Sequence, residues 1–397
     1  MDPVRLLLIS STAVLSLMLL IEWNQYSDEY QKQQSDLYSA AIAEPLMLGH
    51  ETAGTPLSGG LDEGIPSVNQ EASPLAVFLD DSETFTLSTD TLNLVISADG
   101  GDVVSASLPK FPVRLDAPDQ PFRLLENNSL RRYVAQSGLI GPDGIDASGN
   151  RARYASQGLT NNGDGSHTLT LAWTGNDPLG LQVYKRFSAY DDRYDVDVSF
   201  DIRNGGRSVA SITSFAQLKR DNTQAPDGNT GFGVSPYLGA ALTQPDERYT
   251  KLSFSDLGDG PFSKRLPAGW VAILQHYFVS AWIPSQQTSH DYFASQLSNG
   301  DNVIGYKNQN VDIAPGSATT ITQTLYVGPK DQVVLADLAK YLDLVIDYGW
   351  LWWLAKPLFL LLTLIQQFVI NWGLAIIALT VIVKLVFFRL SAASYKS

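Results

Sequence analysis

The 397-residue chain has no cysteine and only four histidines. Without cysteine, a disulfide scaffold, a thiolate zinc site and a cysteine nucleophile are all excluded. The histidines lie far apart without ligand spacing, and the sequence contains no serine elbow, P-loop or dinucleotide-binding glycine motif. The sequence therefore predicts no metal site, no cofactor and no enzymatic active site.

Positive charge is scarce over most of the chain. Residues 23–347 carry 22 Lys and Arg against 39 Asp and Glu, a net charge of −17. Because phosphate contacts need clustered Lys and Arg, this balance argues against nucleic-acid binding. Residues 348–397 carry four cations and no acid. The mean hydropathy of −0.04 thus hides an acidic middle between two apolar ends.

The first apolar stretch, residues 6–21, lies between Arg5 and Glu22 and has no charged residue. Sixteen helical residues rise about 24 Å, which nearly spans a hydrocarbon core of about 30 Å. A cleaved signal peptide is the alternative. Its cleavage motif should follow the apolar stretch closely, yet Ala41-Ile42-Ala43 comes roughly twenty residues later. We predict an uncleaved transmembrane anchor over residues 1–23.

A second apolar stretch covers residues 357–390. As one helix it would extend about 50 Å, which is too long for a straight span. A break at Asn371-Trp372-Gly373 predicts an interfacial amphipathic helix over residues 348–371 and a second transmembrane helix over residues 372–397. A single bent helix is the alternative. The predicted interfacial anchors are Trp350, Trp352, Trp353, Lys356, Trp372 and Arg389.

Cations flank both predicted spans on the same side of the membrane. Arg5 precedes the first span, and Arg389 and Lys396 lie at the end of the second. By the positive-inside rule both ends lie in the cytoplasm and the acidic middle is exported. The sequence thus predicts a multi-pass protein of the bacterial inner membrane, with a cytoplasmic N-terminus and a large periplasmic domain.

The exported middle has two parts. Residues 24–75 are rich in Gln, Gly, Pro and Ser, a composition that predicts a flexible linker. From residue 76, short runs alternate polar with apolar residues and are separated by turns such as Asp99-Gly100-Gly101-Asp102. These runs predict an all-β domain over residues 76–347, a large β-sandwich. One helix is predicted to pack on it, over residues 331–344.

The alternating runs set the predicted strands and their approximate bounds. The predicted strands are 84–87, 92–97, 103–108, 167–173, 181–187, 194–202, 270–274, 278–282, 302–306 and 319–327.

One charge lies deep in the second predicted span. Lys384 comes eleven residues after Gly373, about 16 Å along a helix of mostly aliphatic residues. At that depth a charge costs at least about 2.5 kcal/mol unless it meets water or a partner. Lys384 is therefore a candidate functional residue. The alternative is that its side chain snorkels to the cytoplasmic face.

Several short segments carry a family resemblance through their order along the whole chain. They are the start Met1-Asp2, 98–103 (ADGGDV), 133–139 (YVAQSGL), 214–219 (SFAQLK), 269–272 (GWVA), 275–278 (QHYF), 327–329 (VGP) and 342–351 (LDLVIDYGWL). Together they resemble the YidC-type membrane protein insertases of Gram-negative bacteria, in the Oxa/YidC/Alb superfamily.

The resemblance implies a periplasmic β-supersandwich and an interfacial helix before the second span. It also implies a non-enzymatic function, the insertion and folding of inner-membrane proteins through a hydrophilic groove within the membrane. The implied partners are nascent inner-membrane proteins, components of the Sec translocon and the lipid bilayer. The family's groove arginine lies in the second span, where this sequence has Lys384. A lysine keeps the positive charge but lacks the planar guanidinium group of arginine.

The family pattern continues beyond the second span, whereas this sequence stops at Ser397. Because two spans cannot enclose a groove, we expect a fragment of a longer protein. The alternative function is a membrane-tethered periplasmic module that binds carbohydrate or unfolded polypeptide, without insertase activity. In that case Trp270, Tyr277 and Trp282 line a periplasmic cleft, although aromatic residues of this kind also pack in cores.

Overall fold

The structure is a computed structural model that describes residues 83–114, 116–146, 151–175, 180–223, 237–346 and 352–396. The predicted anchor over residues 1–23, the predicted linker over residues 24–75 and Trp350 lie outside the described residues. Between 83 and 346 the described residues form an all-β domain with short helical elements.

The described residues form nineteen strands, numbered here in chain order. Their bounds are β1 Thr84–Ser88, β2 Asn93–Ser97, β3 Val103–Arg114, β4 Ala117–Asn127, β5 Arg132–Ile140, β6 Tyr154–Asn161, β7 Ser166–Trp173, β8 Leu181–Tyr190, β9 Asp195–Asn204, β10 Ala210–Arg220, β11 Gly239–Leu242, β12 Thr250–Ser253, β13 Phe262–Pro267, β14 Val271–Leu274, β15 Phe278–Ile283, β16 Ser289–Gln296, β17 Asn302–Lys307, β18 Val311–Ile313 and β19 Ala318–Pro329.

The strands pair into two antiparallel sheets. The ten-stranded sheet has the order β1-β2-β3-β4-β5-β10-β17-β16-β13, with β18 beside β10, and the nine-stranded sheet has the order β12-β11-β14-β15-β19-β9-β8-β7-β6. Side chains of both sheets, such as Leu218 on β10 and Phe187 on β8, share one apolar core. The β-sandwich predicted from the alternating runs is therefore confirmed.

Strand β8 shows how the sequence builds this sandwich. Successive side chains of a strand point to opposite faces of the sheet, and on β8 every second residue is buried. Four of the five inward residues are apolar, among them Val183 and Phe187. The fifth, Lys185, is completely buried. A charged side chain thus occupies a core position of the strand.

Each of the ten predicted strands overlaps an observed strand, and nine observed strands were not predicted. Strands β5 and β10 are two of the strands that were not predicted. They are buried along most of their length on both faces. A strand covered on both faces has no polar side to alternate with its apolar side. The period-two pattern is therefore absent where the sheet is most deeply buried.

Four α-helices and one 3-10 helix are described. Their bounds are α1 Phe254–Asp259, α2 Gln332–Leu338, α3 Trp352–Val369 and α4 Trp372–Lys396, with the 3-10 helix at Leu342–Val345.

The single helix predicted over residues 331–344 is wrong in its extent. Helix α2 ends at Leu338, Ala339 is extended, and Tyr341 has a φ of 69°. Leu335 before the break and Val345 after it are both buried in the same small core.

Helices α3 and α4 are separated by Ile370 and Asn371. Ile370 has a φ of 59°, a left-handed conformation that β-branched residues rarely adopt. Asn371 caps α4, because its Oδ1 accepts a hydrogen bond of 3.1 Å from the backbone N–H of Leu374. The helix interruption predicted at Asn371-Trp372-Gly373 thus lies about one residue earlier in the structure, at Ile370 and Asn371.

Within the described part of the chain, no helix has both the length and the apolar character needed to cross a membrane.

Candidate functional site

Helix α4 carries Lys384, the functional candidate from the sequence. Its side chain is exposed, and so are the large apolar side chains that surround it on the helix, including Ile377, Val381 and Leu385. Among the described residues, Lys384 forms no ion pair. Lys384 is therefore an exposed cation on a largely apolar helix surface.

Gly373, Thr380 and the apolar Ile377 share the helix face of Lys384. At 100° per residue, Gly373, Thr380 and Lys384 fall within a sector of about 40°. The hydroxyl of Thr380 donates a hydrogen bond of 2.8 Å to the carbonyl of Ile376, which leaves its oxygen able to accept one from another group. This face of α4 therefore combines a small residue, a hydroxyl and a cation.

The predicted interfacial anchors lie on α3 and α4, apart from Trp350. Trp372 is the first residue of α4, and about half of its side chain is exposed. The side chains of Trp352, Trp353, Lys356 and Arg389 lie outside the described part of the structure. The interfacial role of these residues stays a prediction.

The structure does not bring Trp270, Tyr277 and Trp282 to one cleft. Trp270 and Trp282 are completely buried, in two different apolar clusters. Their indole N–H groups donate to the carbonyls of Lys340 and Gln217, at 3.2 and 3.0 Å. Tyr277 is 60 % exposed and stacks on His276. The predicted cleft is therefore wrong for both tryptophans, because burial and a hydrogen bond fix each of them in the core.

A buried ionic network, absent from the sequence predictions, connects the two sheets. Arg151 contacts Asp102, in the turn between β2 and β3, and Asp146, after β5. Each of these three side chains is less than a tenth exposed. Gln136 donates to Asp102 at 2.7 Å, and Gln217 donates to Gln136 at 2.9 Å. The network thus runs from the β2–β3 turn through β5 to β10.

Lys185 joins this network from the opposite sheet. Its Nζ donates to the carbonyls of Gly100, Gly101 and Ser137, at 2.9, 2.8 and 2.9 Å. Gly100 and Gly101 have φ values of 77° and 59°, which a tight turn requires and glycine adopts without strain. The turn therefore presents two carbonyls to one ammonium group.

Arg151 is paired with both carboxylates of the network, and the amino group of Lys185 is held by three backbone carbonyls. Two cations, Arg151 and Lys185, face two carboxylates, Asp102 and Asp146. Burial opposes the charged form of Arg151, yet the two carboxylates raise the pKa of Arg151 above its ordinary value. Asp146 also accepts hydrogen bonds from the backbone N–H groups of Leu139 and Ala152, both at 2.9 Å. This arrangement fixes the loops and strands that it connects.

Lys185 makes the stability of the domain dependent on pH. Burial lowers the pKa of Lys185 from 10.5 to about 7, although Asp102 and Asp146 oppose this effect. Between these values the unfolded chain holds a proton that the folded chain lacks, so the unfolding free energy rises by up to about 1.4 kcal/mol per pH unit. The free energy of unfolding, measured with urea between about pH 6 and about pH 10, should rise in wild type but not in Lys185→Met. An equal rise in both proteins would contradict the assignment.

An open groove of about 520 Å³ lies at the ends of β5, β10 and β17. Polar side chains line most of it, including Lys307 and the ion pair between Arg265 and Asp291, at 3.7 Å. Its lining includes none of the three aromatic residues predicted to form a cleft. Among the described residues, no group of three or more His, Asp or Glu side chains is arranged to hold a metal ion.

Comparison with known proteins gives matches over both the domain and the whole chain. The family model of the YidC periplasmic domain matches residues 84–361. A membrane protein insertase YidC of Marinomonas sp. (strain MWYL1) is 40% identical over 407 residues, and that of Pseudomonas entomophila (strain L48) is 39% identical over 408 residues. Each alignment covers all of this chain and 71% of the relative. The chain belongs to the YidC family.

The fold of this YidC-family domain also has a distant likeness among solved structures. A galactose mutarotase related enzyme from Lactobacillus acidophilus is 12% identical, with a TM-score of 0.42, over 62% of this chain and 97% of that one. The buried ionic network lies inside the range matched by the YidC periplasmic domain, whereas Lys384 lies beyond it. The family resemblance seen in the sequence is confirmed.

Proposed function

We propose that this chain serves the insertion and folding of inner-membrane proteins, with Lys384 as the cation of a hydrophilic intramembrane groove. The observation that carries the proposal is the similarity along the whole chain to relatives named membrane protein insertase YidC. The exposed cation of α4, on a face shared with Thr380 and Gly373, supports it. No covalent step is required of such a protein.

The physical task of the groove is to lower the barrier for polar residues that cross hydrocarbon. A charged residue at the centre of a bilayer costs about 2.5–3.5 kcal/mol on insertion scales. A cation held in the membrane with access to water attracts acidic and polar parts of an entering segment, and so offsets part of this cost. Lys384 offers such a charge as an ammonium group on a flexible stem, which acts as a point charge.

The topology belongs to the same proposal. The first apolar stretch holds the N-terminus in the membrane, and helix α3 lies in the periplasmic interface before α4 enters the bilayer. The domain over residues 76–347 then lies in the periplasm, in agreement with the family name of the matched range. Proposed partners are nascent membrane proteins, the lipid bilayer and the Sec translocon.

A complementation experiment tests the role of Lys384. The gene of the full-length protein would be expressed in a strain depleted of its own insertase, as wild type and as Lys384→Ala and Lys384→Arg. We expect Lys384→Ala to slow membrane insertion about tenfold, which corresponds to 1.4 kcal/mol, roughly half of the cost of a charge in the bilayer. Lys384→Arg should insert at close to the wild-type rate, because it keeps the charge.

Lys396→Ala is the matched control, since it removes the same charge from the end of the same helix. Insertion would be measured by protease protection of a radiolabelled client protein, alongside growth. Equal insertion rates for Lys384→Ala and wild type would remove Lys384 from the mechanism. A failure of the wild-type gene to restore growth would contradict the insertase function itself.

A further inference from the structure

Strand β6 forms one edge of the nine-stranded sheet, and most of its length is exposed on both faces. It pairs with β7 on one side, and among the described residues no other strand pairs with it on the opposite side. Every side chain from Ser156 to Asn161 is exposed. One side of the β6 backbone is therefore open to a partner.

This edge carries backbone hydrogen-bonding groups that point away from the sheet. In an antiparallel pair, residues bonded to the neighbouring strand alternate with residues whose N–H and C=O groups point outward. The N–H of Asn162 donates to the carbonyl of Ser166 at 3.0 Å. Together with the register of β6 on β7, this bond places Leu159 and Asn161 in the outward set. These two residues offer two donors and two acceptors to a further strand.

Part of the same edge is already paired, just before these residues. The N–H of Tyr154 donates to the carbonyl of Ala98 at 2.8 Å. The N–H of Gly100 donates to the carbonyl of Ala152 at 2.7 Å. This antiparallel bridge ends there, because the chain before Ala98 belongs to β2 of the ten-stranded sheet. The place beside Leu159 is thus the continuation of an existing backbone pairing.

Strand β6 lacks the charged residues and prolines that discourage an edge from pairing with another chain. Strand β13, an edge of the ten-stranded sheet, contains Lys264, Arg265 and Pro267. Strand β12, the other edge of the nine-stranded sheet, has four residues and one of them is a lysine. The eight residues of β6 include no charged residue and no proline. Its bulge, between Ser156 and Gly158, comes before the outward groups of Leu159.

Leu159 gives this edge a preference for an apolar neighbour. It is the cross-strand neighbour of Leu169, which is 3% exposed and belongs to the main core. Cross-strand neighbours share one face of a sheet, so Leu159 lies at the rim of the core, yet it is 52% exposed. A further strand would cover Leu159 with an apolar side chain, while its adjacent residues would face solvent.

A second copy of β6 would meet this preference less well. The antiparallel self-pairing that uses both outward residues places Leu159 beside Asn161 of the other copy. Leu159 would then have a polar neighbour in place of an apolar one. A strand of different sequence, with an apolar residue at that position, fits the edge better.

We propose that the edge of β6 binds an extended, unfolded polypeptide segment by β-strand addition, with an apolar residue beside Leu159. An extended polypeptide presents N–H and C=O groups at the spacing of the outward groups, and a carbohydrate does not. Main-chain hydrogen bonds provide the affinity, so many different segments can bind. The inference rests on the proposed function, because segments of membrane proteins that have not yet folded are the occupants it supplies.

Binding of a probe peptide to the full-length protein in detergent tests this proposal. The probe is a short fluorescent peptide of alternating valine and threonine, with a lysine at each end for solubility. A second peptide has the same side chains but is methylated on its backbone nitrogens, so it cannot donate to the carbonyls of β6. Fluorescence anisotropy gives both dissociation constants. We expect the methylated peptide to bind at least about tenfold more weakly.

Substitution of Leu159 locates the binding site. Leu159→Lys places a charge on the edge and removes the apolar contact, so the probe should bind about tenfold more weakly. Val113→Lys is the matched control, because Val113 is a 56% exposed apolar residue of β3, and we expect unchanged binding. Leu159→Pro is a second variant that removes an outward N–H without breaking a bond to β7, and it should weaken binding similarly. Circular dichroism would verify that all three variants are folded.

Three results would overturn the proposal. They are equal binding of the two peptides, equal weakening by Leu159→Lys and Val113→Lys, and a wild-type dimer that Leu159→Lys dissociates, since a second copy would then occupy the edge. Complementation separates this proposal from the proposed function. Growth restored by a protein that does not bind the probe contradicts β-strand addition alone. Selective probe binding by a protein that does not restore growth supports β-strand addition and contradicts the insertase function.

Discussion

Replacement of Arg151 by alanine is expected to lower the free energy of unfolding by about 3–5 kcal/mol. Arg151 lies between the buried carboxylates of Asp102 and Asp146 and also donates to the carbonyl of Ser137 at 2.8 Å. Without the guanidinium group both carboxylates stay buried, and within the network only Lys185 remains to balance them. An uncompensated buried charge costs far more than the pair contributes when it is complete.

Arg153 provides the matched control, two residues further along the chain. Its side chain is 59% exposed and forms an ion pair with Asp99 at 3.5 Å. Exposed pairs of this kind contribute about 0–1 kcal/mol, so Arg153→Ala should have little effect on unfolding. Urea unfolding followed by near-ultraviolet circular dichroism gives both values. Similar losses for Arg151→Ala and Arg153→Ala would show that the buried network does not stabilise the domain.

Part of this network left a signal in the sequence. Strand β8 alternates so regularly that its inward positions follow from the pattern, and Lys185 is one of them. A lysine in the apolar register of a strand indicates a buried cation that needs partners. Its partners give no such signal, because the carbonyls of Gly100, Gly101 and Ser137 are backbone groups far away in sequence.

The carboxylates of the network were not predictable for a different reason. Asp102 follows a turn and Asp146 lies in one, where acidic residues are usually solvated, and Arg151 comes just before β6. The pairing of β3 with β5, a strand that the sequence did not predict, brings the turn that holds Asp102 beside β5. Contacts between residues distant in sequence depend on sheet order, which alternation does not encode.

The two tryptophans show another limit of prediction from the sequence. Trp270 and Trp282 suit either a core or a binding cleft, and their positions beside or within strands do not decide between the two. In the structure both side chains are completely buried, which places them in the core. Lys384 differs from both, because its position in a long apolar run makes it conspicuous in the sequence itself.

Replacement of Trp282 by alanine is expected to destabilise the domain by about 3–5 kcal/mol. Trp282 lies on β15 of the nine-stranded sheet, is completely buried, and donates from Nε1 to the carbonyl of Gln217 on β10 of the other sheet. The substitution therefore opens a cavity between the sheets and leaves a buried carbonyl without its donor. Trp282→Phe keeps most of the volume and should cost less, about 1–3 kcal/mol.

Tyr277→Ala is the control, because Tyr277 was assigned to the same predicted cleft but is exposed. Its loss should change the unfolding free energy by no more than about 0.5 kcal/mol. Urea unfolding of the three variants beside wild type separates a core role from a cleft role. A small effect of Trp282→Ala, together with stabilisation of the wild type by an added oligosaccharide or unfolded peptide, would restore the binding-module interpretation. The burial of Trp282 and its hydrogen bond across the two sheets favour the large loss.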